Sequence, residues 1–454
     1  MRYIAHSPED RRDMLLSMGL TSTAELSNHI PEALTLRRAL DLPEALSEHA
    51  LEAHVRELAR RNTDLYSVSS FIGGGMYEHH IPAVVDAIAE RGEYLTAYTP
   101  YQPEMSQGLL QVLSEYQSYM SAITGLPVVN SSCYDGSTAF SDALWMACQA
   151  ATSGRGGVCI ASTVWPQVQA VADTYLGGRR VAISRAPFNA RTGLLDLQKL
   201  EAMFEQTHPA VFGFQTPNCF GVLEDIEEVV ALCRKFDVLS ALHYHPFLSG
   251  IFVPPGELGV DIVCGEAQML GIPLAGGGPS LGFLASDSAY RRFMPGRLVG
   301  TVSDIYGNPA YALVHEEREQ HVAREKATSN MCSNQAHCAL RAAVYLSVTG
   351  EAGLTQLAHE NLSIAHDFAG LLMQTGRMSI RFDAAFFNEF VLTMPCAASE
   401  VLTKLRTMGI RGGLDGKMFG MPNSILIAVT ETKSNADLDA AASAFSTALA
   451  ELGH

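Results

Sequence analysis

Chemistry-bearing residue types cluster in a few stretches of this chain. In T-A-Y-T-P-Y-Q-P-E-M-S-Q-G, residues 96–108, Tyr98, Thr99, Tyr101, Gln102 and Glu104 sit around Pro100 and Pro103. Two prolines in four residues fix φ and hold the backbone extended. Tyrosines three apart are ordinary packing residues elsewhere. Here the density of hydrogen-bonding groups on a stiff frame suits an interface or ligand loop.

A second stretch, D-G-S-T-A at 135–139, opens a helix expected to run to about Gln149. Gly136, Ser137 and Thr138 place donors at a helix N-terminus, an anion site suited to a phosphate. Plain capping of a core helix accounts for the same residues. A third stretch, G-I-P-L-A-G-G-G-P-S-L-G at 271–282, carries glycines that permit positive φ and close approach of a ligand or another chain. It lacks the strand–G-x-G-x-x-G–helix order of a dinucleotide site; a tight structural loop is the other reading. His243 and His245 end an apolar run. Residues two apart share a strand face and suit a metal, but no third ligand is recognisable, and hydrogen-bonded strand-end histidines explain them as well.

These stretches need elements to position them. Helical segments alternate with short apolar, β-branched runs at 128–130, 157–161, 180–183, 210–214 and 261–264. That alternation predicts βαβ units and a mostly parallel sheet. Residues 1–65 read as a polar helical arm, with helices near 8–18 and 47–61, too thin to form its own core. The large α/β domain is expected over 66–330 and a smaller α+β domain over 331–454, with a long helical stretch at 333–376, strands at 378–383, 388–395 and 423–430, and a last helix at 435–450.

The chain has 454 residues, 47% apolar and 17% charged, so it can bury a large core. Its net charge of −17 argues against broad nucleic-acid binding. No apolar run is long enough to span a membrane. Nine cysteines without a C-x-x-C pair read as reduced, mostly buried thiols. The N-terminus has Ser7, Pro8, Glu9 and Asp10 as a helix start and no targeting pattern, so a cytoplasmic location is expected.

Taken together, A-Y-T-P-Y-Q-P-E-M-S-Q-G, Y-D-G-S-T-A, P-N-C-F-G-V-L-E-D, P-P-G-E-L-G-V-D-I-V-C-G-E, the G-G-G-P loop, M-P-G-R-L-V-G, R-E-Q-H-V-A-R-E-K-A-T-S-N and F-F-N-E-F resemble the glycine cleavage system P-protein family, glycine dehydrogenase (decarboxylating). Length and motif order are similar to subunit 1, the α subunit of the two-chain bacterial form. The resemblance covers nearly the whole chain.

It implies a fold-type I pyridoxal-phosphate transferase-like architecture and an αβ pair, α2β2 when doubled, with an αα pair open for the chain alone. It implies decarboxylation of glycine and transfer of the aminomethyl group to the lipoyl group of H-protein. That chemistry needs a lysine to hold pyridoxal phosphate. By the resemblance, the lysine position is Gln268, and an amide cannot take its place. None of Lys199, Lys235, Lys326, Lys404, Lys417 and Lys433 lies beside the glycine loop. The cofactor is therefore expected on the β subunit. Trp165 stands where the family usually has His, and His245 where it usually has Asp. With Ser137 and Thr138 they would line a vestigial pocket. Tyr98, Thr99, Tyr101, Gln102 and Glu104 are expected to be contributed to a shared site as positioning groups. A catalytically inactive scaffold or regulatory paralogue of the same fold is the alternative.

Overall fold

The computed structural model describes residues 5–65, 67–97, 99–151 and 155–454. Residues 1–63 and 64–454 form two separate units. In the first, α1 (Pro8–Ser17) starts with a capping box. Ser7 accepts from the Asp10 N–H, and the Asp10 carboxylate accepts from the Ser7 N–H. α2 (Glu48–Ala59) is capped by Ser47. None of the unit's described residues is buried, and Leu51, Val55 and Leu58 lie exposed along one face of α2.

The second unit is built on a seven-stranded sheet. Its strands are β1 (Val128–Val129), β2 (Val158–Ala161), β3 (Ile183–Ala186), β4 (Val211–Thr216), β5 (Leu239–Tyr244), β6 (Ile262–Glu266) and β7 (Gly282–Ser286). Their spatial order is β1-β7-β6-β5-β4-β2-β3. The run from β6 to β3 is parallel; β7 and β1 are antiparallel to their neighbours. The helices that connect them are α5 (Gly136–Ala150), α6 (Pro166–Gly177), α7 (Leu197–Thr207) and α8 (Ile226–Lys235); α3 (Ala83–Ala89) and α4 (Gln107–Thr124) precede them. Every residue of β4 and β6 is buried, as expected for parallel strands covered on both faces. Helix α5 crosses close over β4. A Cβ at Gly213 would meet the Phe140 ring at 2.6 Å, so only glycine fits there.

A hairpin, β8 (Leu298–Ser303) and β9 (Pro309–Val314), follows the sheet. The four-stranded antiparallel sheet beyond it has the order β10-β11-β13-β12, from Ser379–Ile380, Glu389–Thr393, Leu414–Asp415 and Ser424–Ala428. Helices α10 (Ala398–Thr407) and α11 (Asn435–Glu451) cover it. The long helix α9 (Ala336–Gln374) is broken at Gly350, whose φ of 60° is not helical. Before the break Tyr345 and Leu346 pack in the core of the large sheet. After it Ala365, Phe368 and Leu372 pack in a second core with Phe390, Ile425 and Phe445. Phe71 joins that second core, and Ser69–Ser70 pair in parallel with Ile410–Arg411. The chain just after residue 64 is thus tied to its C-terminal part.

The nine cysteines are free thiols, six of them buried. Among the described residues, no helix is long and apolar enough to cross a membrane.

Candidate functional site

The carboxyl ends of β4, β5 and β6 meet the N-terminus of α5, the usual ligand position in an open α/β sheet. Asp135 caps α5. It accepts the Thr138 N–H at 2.8 Å, and Thr138 Oγ1 accepts the Asp135 N–H at 3.3 Å. The cap thus uses Thr138 locally, and Ser137 is half-buried beside it. The helix also comes close to the end of β6 here. A Cβ on Gly136 would lie 2.7 Å from the Glu266 nitrogen.

Glu266 itself enters the space in front of the helix. Its Oε2 accepts from the Gly136 N–H at 3.0 Å. Its Oε1 accepts from the N–H groups of Gln268 and Leu281, both at 3.0 Å. Burial pushes this carboxyl up to about 7, and the three N–H bonds oppose that rise. The anion position suggested by D-G-S-T-A is therefore filled from inside the chain.

Gln268 is buried beside it. Its Oε1 accepts the Tyr77 N–H at 3.1 Å, and its Nε2 donates to the Ile272 carbonyl at 2.7 Å. The amide thus fastens the 73–77 segment to the turn after β6. Tyr77 OH donates to Glu389 Oε2 at 2.8 Å, and the Gly74 N–H donates to Glu389 Oε1 at 2.7 Å. Glu389 belongs to F-F-N-E-F, and burial raises its carboxyl to about 7.

Trp165 ends the loop before α6, with Pro166 as the first helical residue. Its backbone N–H donates to Gln215 at 3.0 Å, and its buried ring lies 5.8 Å from that of Phe419. His245 is buried among the rings of Tyr77, Phe247 and Phe387, at 5.4, 5.6 and 5.4 Å. Burial drives its imidazole down to about 3, so it is neutral. Nδ1 accepts the Phe247 N–H at 3.3 Å, which places the proton on Nε2. Nε2 finds no partner among the described residues. The free space bounded by Tyr77, Trp165, His243, His245 and Glu266 is ≈ 20 Å³, room for about one water. A cofactor pocket needs several hundred. The residues present do not fit pyridoxal phosphate: the volume is missing, Glu266 fills the helix start, and Gln268 is committed on both sides of its amide. Among the described residues, no group of three or more His, Cys, Asp or Glu is placed to hold a metal.

The 96–108 loop lies elsewhere in the unit and makes a contrasting surface. Tyr98 falls outside the described residues. Pro100 is buried, Tyr101 is half-buried, and Thr99, Gln102 and Glu104 are exposed. The Tyr101 hydroxyl donates to Asn334 Oδ1, and the Arg297 guanidinium stacks 3.9 Å from its ring centroid. Asn334 donates in turn to Ser131 at 2.8 Å, and Arg297 to the Cys332 carbonyl at 3.0 Å. Tyr101 therefore pins the loop to M-P-G-R and to the entry of α9. The side chains of Thr99, Gln102 and Glu104 have no hydrogen-bond partner among the described residues. The structure keeps Gln268, Trp165 and His245 together and groups Tyr101 with the exposed loop residues, and among the described residues no hydrogen bond or ring contact joins the two sets. In the glycine loop, Gly276 and Gly277 have φ of 69° and 116° with no atom within 4 Å of an added Cβ. Backbone conformation, not close approach, calls for glycine there.

Glu266, Glu389 and Tyr77 were missed as pocket residues by the sequence reading. Two of them lie in quoted motifs, Glu266 closing G-V-D-I-V-C-G-E and Glu389 inside F-F-N-E-F, and a glutamate at one end of an apolar strand was the available signal.

Known proteins place this architecture. The family model for the glycine cleavage system P-protein matches residues 1–445. A relative from Carboxydothermus hydrogenoformans, named "Probable glycine dehydrogenase (decarboxylating) subunit 1", is 41% identical over 441 residues, covering 97% of this chain and 98% of its own. A crystal structure of glycine decarboxylase (P-protein) of the glycine cleavage system, in inhibitor-bound form, superposes with a TM-score of 0.87 at 35% identity, covering 99% of this chain and 100% of that one. A Lactobacillus brevis glutamate decarboxylase shares the fold alone, with a TM-score of 0.68 at 12% identity, covering 95% of this chain and 97% of that one. The fold is thus the α/β fold of type I pyridoxal-phosphate enzymes, and the chain belongs to the glycine cleavage system P-protein family, alongside relatives named as its subunit 1.

Proposed function

We propose that this chain is the subunit without the cofactor lysine in a two-chain glycine decarboxylase. A β subunit, glycine dehydrogenase subunit 2, holds the pyridoxal phosphate. Together they decarboxylate glycine and pass the aminomethyl group to the lipoyl group of H-protein, in an α2β2 assembly in the cytoplasm. The observation that carries the reading is Gln268: in a chain of this family, the residue at the lysine position is a buried amide bonded to Tyr77 and Ile272. When bound on the partner, the cofactor supplies the electron sink for loss of CO₂.

This chain's part is to complete the shared site. Thr99, Tyr101, Gln102 and Glu104, with Tyr98, orient substrate and exclude water. A loop already held by Tyr101 and two prolines spends little ordering entropy in doing so. The reading calls for an obligate interface of order 2,000 Å² or more. The 1–65 arm, a large domain over 66–330 and a small domain over 331–454 remain its working division.

Glycine–bicarbonate exchange tests it, with the purified chain alone, then with the β partner, then with H-protein added. No exchange alone and exchange in the complex is the expected result. Exchange by this chain alone overturns it. A complex that forms but stays inactive favours the scaffold reading, to which the departures at Trp165 and His245 point.

A further inference from the structure

The space in front of α5 is built like an oxyanion site. Three backbone N–H groups converge on it from three separate segments: Gly136 at the helix start, Gln268 in the turn after β6, and Leu281 at the far end of the glycine loop. Such a set, with the positive end of a fifteen-residue helix behind it, binds phosphate and carboxylate groups. It is filled by one side chain of this chain, and that side chain is buried.

The geometry points to Glu266 as a resident plug: its carboxyl group takes the place of an external phosphate-class oxyanion at the N-terminus of α5 and keeps such ligands out. Three features carry this. Each carboxyl oxygen is used, with Oε2 on the helix and Oε1 shared by two N–H groups at equal distance. Gly136 lets the Glu266 backbone come so near that a side chain at 136 would collide with it, so the plug and its socket are shaped together. The void beside it is ≈ 20 Å³, too small for a phosphate while the glutamate stays. The chain would therefore do more than lack a lysine: it would refuse the phosphate of a cofactor independently of covalent attachment. This needs no partner subunit, and stands or falls separately from the exchange test above.

The experiment is thermal unfolding of the purified full chain in inorganic phosphate against chloride at matched ionic strength. The parent gives the general salt effect of phosphate on any protein. Glu266→Ala is expected to unfold at a lower temperature than the parent in chloride. It should then gain a further, phosphate-dependent rise that grows with the logarithm of phosphate concentration. Glu266→Gln, which keeps the plug's shape, should show no rise beyond the parent's. If Glu266→Ala does not fold in chloride, Glu266→Ser, whose hydroxyl stops short of the carboxyl position and leaves the N–H groups open, carries the same expectation. A specific phosphate rise in the parent or in Glu266→Gln overturns the proposal. So does the absence of one in folded Ala and Ser variants, or failure of both to fold even in phosphate.

Discussion

Two glutamines in this chain show opposite uses of one side chain. Gln268 is buried, and both ends of its amide are bonded to backbone groups of other turns. Gln102 is exposed on a proline-stiffened loop, and its amide has no partner among the described residues. The first is architecture: both ends of its amide hold buried segments together. The second is available, and the backbone that presents it is already fixed. Around each glutamine the neighbours follow suit. Glu266, Trp165 and His245 are packed and bonded; Thr99 and Glu104 are open. Residue type alone does not separate the two amides; burial and the hydrogen bonds each makes within the protein do.

The largest expected effect is an all-or-none one on the closed side. Borohydride treatment of the purified chain with pyridoxal phosphate, followed by peptide mass mapping, should find no stoichiometric adduct at any of the six lysines. A stoichiometric adduct in this chain would dissolve the contrast, because it would make a cofactor chain of what is read as a filled one. Next comes Gln268→Ala. It strands the Tyr77 N–H and the Ile272 carbonyl in the interior, at about 1–3 kcal/mol for each group left unpaired. A loss of about 2–5 kcal/mol in denaturant unfolding is expected. Turnover of the αβ complex should stay within about twofold of the parent wherever the variant is folded, far below a tenfold, 1.4 kcal/mol effect. A stable Gln268→Ala whose complex is inactive would reverse the roles of the two glutamines.

How far the sequence alone shows this contrast depends on what kind of order each element needs. The parallel sheet was readable because β4 and β6 are continuous apolar runs between helices, a signal set by burial on both faces. The third strand was expected at 180–183 and starts at Ile183, because R-V-A-I carries the turn as well as the strand. The hairpin β8–β9 went unseen. Only two of its twelve residues are buried, and the motif M-P-G-R-L-V-G masks its strand character. The break in α9 at Gly350 lies in a stretch that reads as one helix, since a lone glycine is tolerated within a helical pattern. In the pocket, Gln268 stood out only through the family resemblance, which puts it at the lysine position. Its hydrogen bonds were not legible, because Tyr77 lies 191 residues away in sequence. The same holds for Glu266 against Gly136, a pairing only the folded sheet creates.

On the open side, Glu104→Gln and Tyr101→Phe in the αβ complex should each lower turnover at least about tenfold, roughly 1.4 kcal/mol of transition-state stabilisation. The two should differ in stability. Glu104 is exposed, so its variant should unfold like the parent. Tyr101→Phe loses the hydroxyl bond to Asn334, and a loss of about 1 kcal/mol is expected. A Tyr101→Phe chain that loses stability but keeps turnover would reduce that tyrosine to the anchor of the loop and leave the exposed groups as the ones that meet substrate.

The smallest effect separates the two regions by pH. Burial raises the carboxyls of Glu266 and Glu389, on the closed side, to about 7 from an ordinary 4.5. Glu224 and Asp142, buried elsewhere in the same unit, are also raised to about 7, the latter from 3.8. A carboxyl whose folded value lies above its unfolded one binds its proton more tightly in the folded chain. Its contribution is therefore fully present below about pH 4.5 and is lost as pH rises through about 7. The chain should be more stable at about pH 5.5 than at about pH 8, by a few degrees in Tm for a chain of this size. Glu389→Gln removes one of these titrations and should flatten the slope. Gln102→Ala, on the open loop, removes none and should keep the parent's slope. His243 and His245, driven down by burial to about 4 and 3, oppose this slope only below about pH 6.5. A parent whose Tm climbs from about pH 6.5 to about pH 8 would therefore mean that the hydrogen bonds to these carboxylates outweigh their burial. The closed pocket would then be held by charge, with Glu266 and Glu389 ionised and stabilising at neutral pH.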